Sequence, residues 1–178
     1  MCVSALPSQS ATFEELAMPL FDQLYNFACW LAQNREEAED LVQETYAKAL
    51  RGFSSFQQGT NFRAWMYRIL RNTFLTSRSG LKATVSLDDS EDPASLVPAD
   101  PHTPETILMD RSQQELLRGA IDDLPVHFRE VLLLCEVEEM SYQEIAETIA
   151  VPIGTVMSRL SRARAALRAA VGKKLQRA

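Results

Sequence analysis

Ser158, Ser161 and Arg162 fall together on the outer side of a helical pattern near the end of the chain, flanked by Arg159, Arg164 and Arg168. Short hydroxyls and one guanidinium at an exposed helix centre have the size and the donors to reach base edges in a major groove. Flanking arginines have the reach for phosphates. Charge points the same way. The chain is acidic overall, with formal net charge −6, yet Ala150 to Ala178 holds seven basic residues and no acid. A solvated basic helix would show the same charge run. The preceding segment favours a groove: SYQEIAETIA, with Ser141 and Glu144 in capping-box positions, leads through a brief turn at Ala150–Pro152 into the basic helix. That is the outline of a helix-turn-helix. Val156, Leu160, Ala163, Leu167 and Val171 recur at helical spacing as its core stripe, and Ala146 is small enough to let the two helices cross closely.

A second basic surface lies on NFRAWMYRILRNTFLTS, which Asn61 can cap. Phe62, Trp65, Met66, Ile69, Leu70 and Phe74 make its apolar side; Arg63, Arg68, Arg71 and Arg78 lie on the other, with Asn72 at the border. The loop before it carries Phe53 and Phe56 among Ser, Gln and Gly. Loop aromatics beside a basic helix can receive unstacked bases, and they can equally close a core, as Trp65 does. A third feature is acidic. AEDLVQETYAKAL sets Asp40, Gln43, Glu44 and Ala47 along one face, with Leu41, Thr45 and Lys48 beside them. An ordinary solvated face and a docking surface for a basic or polar partner both fit that pattern.

Enzymatic chemistry has no residues to stand on. His102 lies in a Pro-rich stretch and His127 at a charged helix start, and no Gly-rich phosphate loop, zinc-spaced Cys/His pair or nucleophile elbow occurs. Glu36, Glu37, Glu39 and Asp40 read as helix N-terminal dipole partners rather than metal ligands, so neither a metal nor a cofactor is expected. Cys2, Cys29 and Cys135 are odd in number and far apart, which fits a reducing cytoplasm. A hydrophobic content of 46% with 24% charged residues describes a globular protein. No apolar run approaches the roughly 20 residues that span a bilayer, and MCVSALPSQS lacks a signal-peptide pattern.

These surfaces need helices to hold them, and the pattern supplies two sets. Thr12 and Glu15 start a helix that runs to about Gln33 with a bend at Pro19; Asn34 and Glu37 start another that stops at Gly52 as a C′ glycine would. The Asn61 helix completes the first lobe. In the second, Thr103-Pro104 starts a helix to about Leu124, PVHFREVLLLCEVE makes the next, and the helix-turn-helix follows. The stretch between the lobes, with Pro93, Pro98 and Pro101 among Ser, Asp and Ala, reads as a flexible linker. Charge is divided in blocks: seven basic residues and no acid from Thr45 to Leu87, seven acids and no Lys or Arg from Asp88 to Asp110, and nine acids against two arginines from Ser112 to Ile149. The two basic blocks suggest two separate contacts with a polyanion.

REEAEDLVQETYAKAL, NFRAWMYRILRNTF and MSYQEIAETIAVPIGTVMSRLSRARAALR, in this order and spacing, resemble the extracytoplasmic-function (ECF) sigma factors of the sigma-70 family. The resemblance implies an all-α protein: a sigma-2 helical domain over 11–79, a linker over 80–103 and a sigma-4 helix-turn-helix domain over 104–178. It implies a non-enzymatic subunit that binds RNA polymerase core and directs promoter-specific initiation. Asp40, Leu41, Gln43 and Glu44 would then meet the clamp helices of the largest polymerase subunit. Phe56, Gln57, Gln58, Gly59, Thr60, Asn61, Arg68 and Asn72 would open and read the −10 element. Thr155, Ser158, Arg159, Ser161, Arg162, Arg164 and Arg168 would hold the −35 duplex, with Met157 standing where relatives often carry Arg or Lys. Also implied are an anti-sigma factor as partner, a monomeric free state, a cytoplasmic location and no membrane insertion. The alternative is a stand-alone helix-turn-helix transcriptional regulator, which would account for the tail but not for the DLVQE helix.

Overall fold

The computed structural model describes residues 11–79 and 111–176, and these form eight helices with no strand among them. The first lobe holds α1 (Phe13–Ala17), α2 (Phe21–Ala32), α3 (Arg35–Gly52) and α4 (Phe62–Ser79). The second holds α5 (Arg111–Asp122), α6 (Val126–Glu136), α7 (Tyr142–Ile149) and α8 (Ile153–Leu175). The linker reading, the proposed helix start at Thr103-Pro104, His102 and Cys2 lie outside the described residues.

Local chemistry sets most boundaries. Thr12 and Glu15 form a reciprocal capping box on α1, and the Asn34 side chain accepts from the Glu37 N–H at the start of α3. Proline at Met18–Leu20 converts the chain to one turn of 3₁₀ helix between α1 and α2, so the expected long helix is bent where Pro19 lacks a donor. Gln33 closes α2 in the left-handed region (φ 57°). Gly52 does not play the part expected of it. Its φ is −88°, and α3 tightens directly into a 3₁₀ turn at Phe53–Ser55 instead of ending on a left-handed glycine. The turn is held by the Phe56 N–H on the Phe53 carbonyl and the Ser55 hydroxyl on the Gly52 carbonyl. The true left-handed glycine is Gly59 (φ 90°), in the loop that leads into α4.

In the first lobe Leu24, Phe27, Leu31, Met66, Tyr67 and Leu70 are fully buried, with α2, α3 and α4 packed on one another. In the second, Val131, Leu133, Leu134, Ile145, Val156, Leu160 and Ala163 form the centre, α8 lying across α5, α6 and α7. Thr45 is buried on α3 with its hydroxyl returned to the Leu41 carbonyl at 2.7 Å, so its polar atom is satisfied.

The lobes also pack on each other, which the reading of two tethered lobes did not anticipate. α4 lies against α7, and α2 meets α6. Helix α4 is therefore buried on two sides. Phe62, Met66, Leu70 and Phe74 face their own lobe, and Tyr67 is sealed with its hydroxyl donating to the Glu138 carboxylate across the gap. Burial, and then that carboxylate, push the Tyr67 phenol well above its ordinary pKa, so it remains a donor.

Candidate nucleic-acid interface

The second lobe presents its surface through α7 and α8. Ser141 and Glu144 form the expected capping box, which holds the Glu144 carboxyl below its usual range through the Ser141 backbone N–H and hydroxyl. Ala150 takes the left-handed conformation (φ 56°, ψ 48°), and Pro152 then starts α8. That three-residue turn fixes the angle at which α8 leaves. Val156, Leu160 and Ala163 are buried, with Leu167 and Val171 half-buried beyond them, so the core stripe is as the spacing required. Ser158, Ser161 and Arg162 project on the opposite side, exposed; Thr155 is half-buried at the first turn and Met157 is exposed beside Ser158.

The basic residues of α8 divide into two kinds. Arg164 donates to Glu136 Oε1 at 2.7 Å, and Arg159 stands 3.8 Å from the buried Glu130 carboxylate with only 15% of its side chain exposed. Arg162 and Arg168 are exposed, and among the described residues neither has an ion-pair partner within 4 Å. A phosphate can therefore reach these two guanidiniums without displacing a carboxylate.

In the first lobe the loop after α3 holds its aromatics in a nest of rings. Phe56 stacks on Phe53 with centroids 6.1 Å apart and meets Phe62 and Trp65 at 5.2 and 5.0 Å. It is half-buried, so one part of the ring closes the cluster and the rest faces solvent. Gln57, Gln58, Gly59 and Thr60 are exposed around it, with the Thr60 hydroxyl and N–H turned back on the Gln57 carbonyl. Asn61 Oδ1 accepts from the Ala64 N–H, capping α4, and its amide donates to Glu144 of the second lobe at 2.7 Å. Arg68 and Asn72 are exposed one turn apart on α4.

Arg63 and Arg71, placed by the sequence on the same basic face, are engaged elsewhere. Arg71 makes two hydrogen bonds to Glu130, at 2.7 and 3.1 Å, and Arg63 reaches both the backbone and the carboxylate of Glu138. On α3, Asp40, Gln43 and Glu44 are exposed along one face, Glu44 with loose surface pairs to Lys48 and Arg51. Leu41 is only 7% exposed and belongs to the core. Sequence reasoning missed Arg129, Glu130 and Glu138 altogether. All three are buried in the second lobe, and the signal for them was an arginine and an acid immediately before the apolar run VLLL and a second acid four residues after it.

An all-α chain with a helix-turn-helix in one lobe, and an aromatic loop beside an arginine-bearing helix in the other, is a nucleic-acid-binding architecture of the transcription-factor class. Residues 16–83 match the family model for sigma-70 region 2, and residues 114–167 match that for sigma-70, region 4. The chain is 39% identical over 168 residues to the ECF RNA polymerase sigma factor SigE of Mycolicibacterium smegmatis, covering 89% of this chain and 64% of that protein's length. It is 34% identical to the ECF RNA polymerase sigma factor EcfG of Rhodopseudomonas palustris, over 85% of this chain and 87% of the relative. Among solved structures, the sigma factor RpoE of Bartonella quintana, determined in complex with the anti-sigma factor NepR, superposes with TM-score 0.69 at 30% identity, covering 90% of this chain and 96% of that one. The chain belongs to the ECF sigma factors of the sigma-70 family. Such proteins are non-enzymatic factors of promoter-specific transcription initiation. No described helix is long and apolar enough to cross a membrane.

Proposed function

We propose that this chain binds RNA polymerase core through α3, holds the −35 duplex with α8, and opens the −10 element with the Phe56 loop and α4. The observation that carries the reading is the outer face of α8, where Arg162 projects unpaired between exposed hydroxyls on the second helix of a helix-turn-helix. Thr155, Ser158 and Ser161 complete the base-facing side. Arg168 supplies a phosphate contact, with Arg159 and Arg164 joining only if they leave Glu130 and Glu136. In the first lobe, Phe56 offers its free edge to an unpaired base, with Gln57, Gln58, Gly59, Thr60 and Asn61 around it and Arg68 and Asn72 along the strand's path. The sigma-2 domain would occupy 11–79 and the sigma-4 domain 104–178, joined by a linker over 80–103. An anti-sigma factor covering these surfaces, a monomeric free state and a cytoplasmic location fit the same reading.

On α3 the contact with the clamp helices falls to Asp40, Gln43 and Glu44, while Leu41 supports them from inside. Changing Gln43 and Glu44 together to alanine should weaken core binding about tenfold, roughly 1.4 kcal/mol shared over two polar contacts. Helical content should stay intact, since both side chains are exposed and the pairs of Glu44 with Lys48 and Arg51 are surface pairs worth little. The measurement is titration of core with labelled protein; wild-type affinity in the double variant would take the contact off this face.

Phe56→Ala should impair open-complex formation more than initial promoter binding. A base stacked on an aromatic contributes about 1–3 kcal/mol, and a ring already half committed to its neighbours should act near the lower end. Permanganate footprinting on duplex and pre-melted templates separates the two steps. Equal defects in both, together with a lowered thermal transition, would assign Phe56 to the core alone.

A further inference from the structure

Where the first two turns of α8 face outward they are apolar or bare. Ile153 and Met157 are 45% and 54% exposed, one turn apart on the same side of the helix. Gly154 lies beside them, exposed, and Ser158 is its neighbour one turn on. Glycine is a poorer helix former than alanine, so its presence in α8 asks for a reason. Backbone geometry gives none, since among the described glycines only Gly59 takes a positive φ. Packing gives none either: a Cβ added at Gly154 would meet nothing within 4 Å. Free hydrogen-bond donors are scarce on these turns as well. The Ser158 hydroxyl donates to the Thr155 carbonyl at 3.0 Å, and the nearest unpaired guanidinium is Arg162, one turn further along.

A recognition helix sets its N-terminal residues nearest the base edges of the major groove. Those edges carry hydrogen-bond donors and acceptors, with one apolar group among them, the C5-methyl of thymine. Against a polar edge, Ile153 and Met157 would cover donors and acceptors and return no hydrogen bond. Against a methyl group the same side chains take apolar area out of water. Methionine suits the contact, being unbranched, polarisable and able to adjust to the methyl position. Gly154 lets the backbone of α8 come closer to the bases than a Cβ would allow. Charge selects DNA over an apolar protein surface as the occupant. Ala150 to Ala178 holds seven basic residues and no acid, and a protein covering Met157 would have to cover the unpaired Arg162 too.

We propose that Met157, backed by Ile153 and given room by Gly154, reads the C5-methyl group of a thymine, which makes this chain selective for an A·T pair at one −35 position. Arg162 and the serine hydroxyls then read polar edges beyond it, so one helix face combines an apolar reader with a polar one. The inference rests on the reading of α8 as the helix that enters the −35 groove.

The test uses holoenzyme assembled from the full-length chain, on the duplex it selects from a library randomised over the −35 element. Each thymine of either strand is then replaced singly by deoxyuridine, which removes the methyl group and nothing else. One replacement should weaken wild-type binding about fourfold, the worth of one buried methyl group. Met157→Ala should lose at least as much on the thymine duplex and no longer distinguish thymine from uracil at that pair, a non-additivity that marks direct contact. Met157→Leu should keep the distinction. Gly154→Ala should weaken binding of the thymine duplex several-fold without lowering the thermal transition of the free protein, a combination that a purely structural glycine excludes. A selected duplex with no A·T pair, or one in which wild type tolerates uracil everywhere, overturns the inference. So does a thymine preference undiminished in Met157→Ala, which gives the methyl to another side chain. In each of these cases a loss of binding in Arg162→Ala keeps α8 in the groove. Selection of no duplex, with Arg162→Ala binding as wild type, would instead remove α8 from the −35 groove and the inference with it.

Discussion

Replacing Arg129 with methionine should destabilise the second lobe by about 2–3 kcal/mol. Arg129 is 4% exposed, and its guanidinium's hydrogen bonds among the described residues go to backbone carbonyls: Asp122 at 2.6 Å, Leu124 at 2.9 Å, Ile121 at 3.2 Å, and more distantly Trp30 and Leu31. The three short bonds gather the last carbonyls of α5 and the turn into α6, which have no partner within the helix. A cation is the natural cap there, since the C-terminal end of a helix carries partial negative charge. Burial opposes this by pulling the Arg129 pKa below its ordinary value, so the net gain is less than three charged hydrogen bonds would suggest. Methionine fills the volume and supplies no donor, leaving the Leu124 carbonyl without its partner while Asp122 keeps only Gln33 and Ile121 only the Leu124 N–H. Thermal denaturation should show a transition lowered by roughly 10 °C, with faster amide exchange at the start of α6. Lysine should restore part of the loss. A methionine variant as stable as wild type would mean that water reaches these carbonyls and that Arg129 is dispensable.

Arg129 also shows where the sequence was legible and where it was not. Thr12, Asn34, Asn61 and Ser141 were readable as caps because a cap is settled within four residues, and each makes the bond its position requires. The stripe Val156–Leu160–Ala163 was readable for the same reason: a 3.6-residue period needs no knowledge of what covers it. The outward placement of Ser158, Ser161 and Arg162 followed from that stripe. Gly52 was misread because a glycine after a helical run has two uses, and the following Phe53–Ser55 turn selects the right-handed one.

The pairing of the lobes was invisible to any local rule. Arg71 and Glu130 lie 59 residues apart, and Arg63 and Glu138 lie 75 apart. What the sequence did carry was complementarity of blocks. A stretch with seven basic residues and no acid is followed, after the linker, by nine acids against two arginines. Each block was read as addressed to an outside partner, whereas part of each is addressed to the other. Tyr67 offered the sharper clue. It stands between Arg63 and Arg71 on what a single-lobe reading makes the solvent side, and a large aromatic there signals a cover.

Arg162→Ala and Arg168→Ala should separate the two functions of the basic helix. Arg162 lies opposite the buried stripe, between the exposed Ser158 and Ser161 and beyond the reach of the acids that hold Arg159 and Arg164. In a groove-bound α8 it points at base edges, where a bidentate guanidinium discriminates one base from another. Its loss should cost about 1–3 kcal/mol and relax preference at one or two −35 base pairs. Arg168 sits to the side, exposed and without an ion-pair partner among the described residues, where the backbone is nearer than the bases. Its loss should weaken all sequences alike and lower the salt slope by about 1. Arg164→Ala should have a smaller effect than either, because the Glu136 pair at 2.7 Å must break before that guanidinium meets a phosphate. Holoenzyme affinity on single-base −35 variants at several salt concentrations measures all three. Equal, sequence-independent losses for Arg162 and Arg168 would put a different face of α8 in the groove, and the exposed Met157 side would be the next to test.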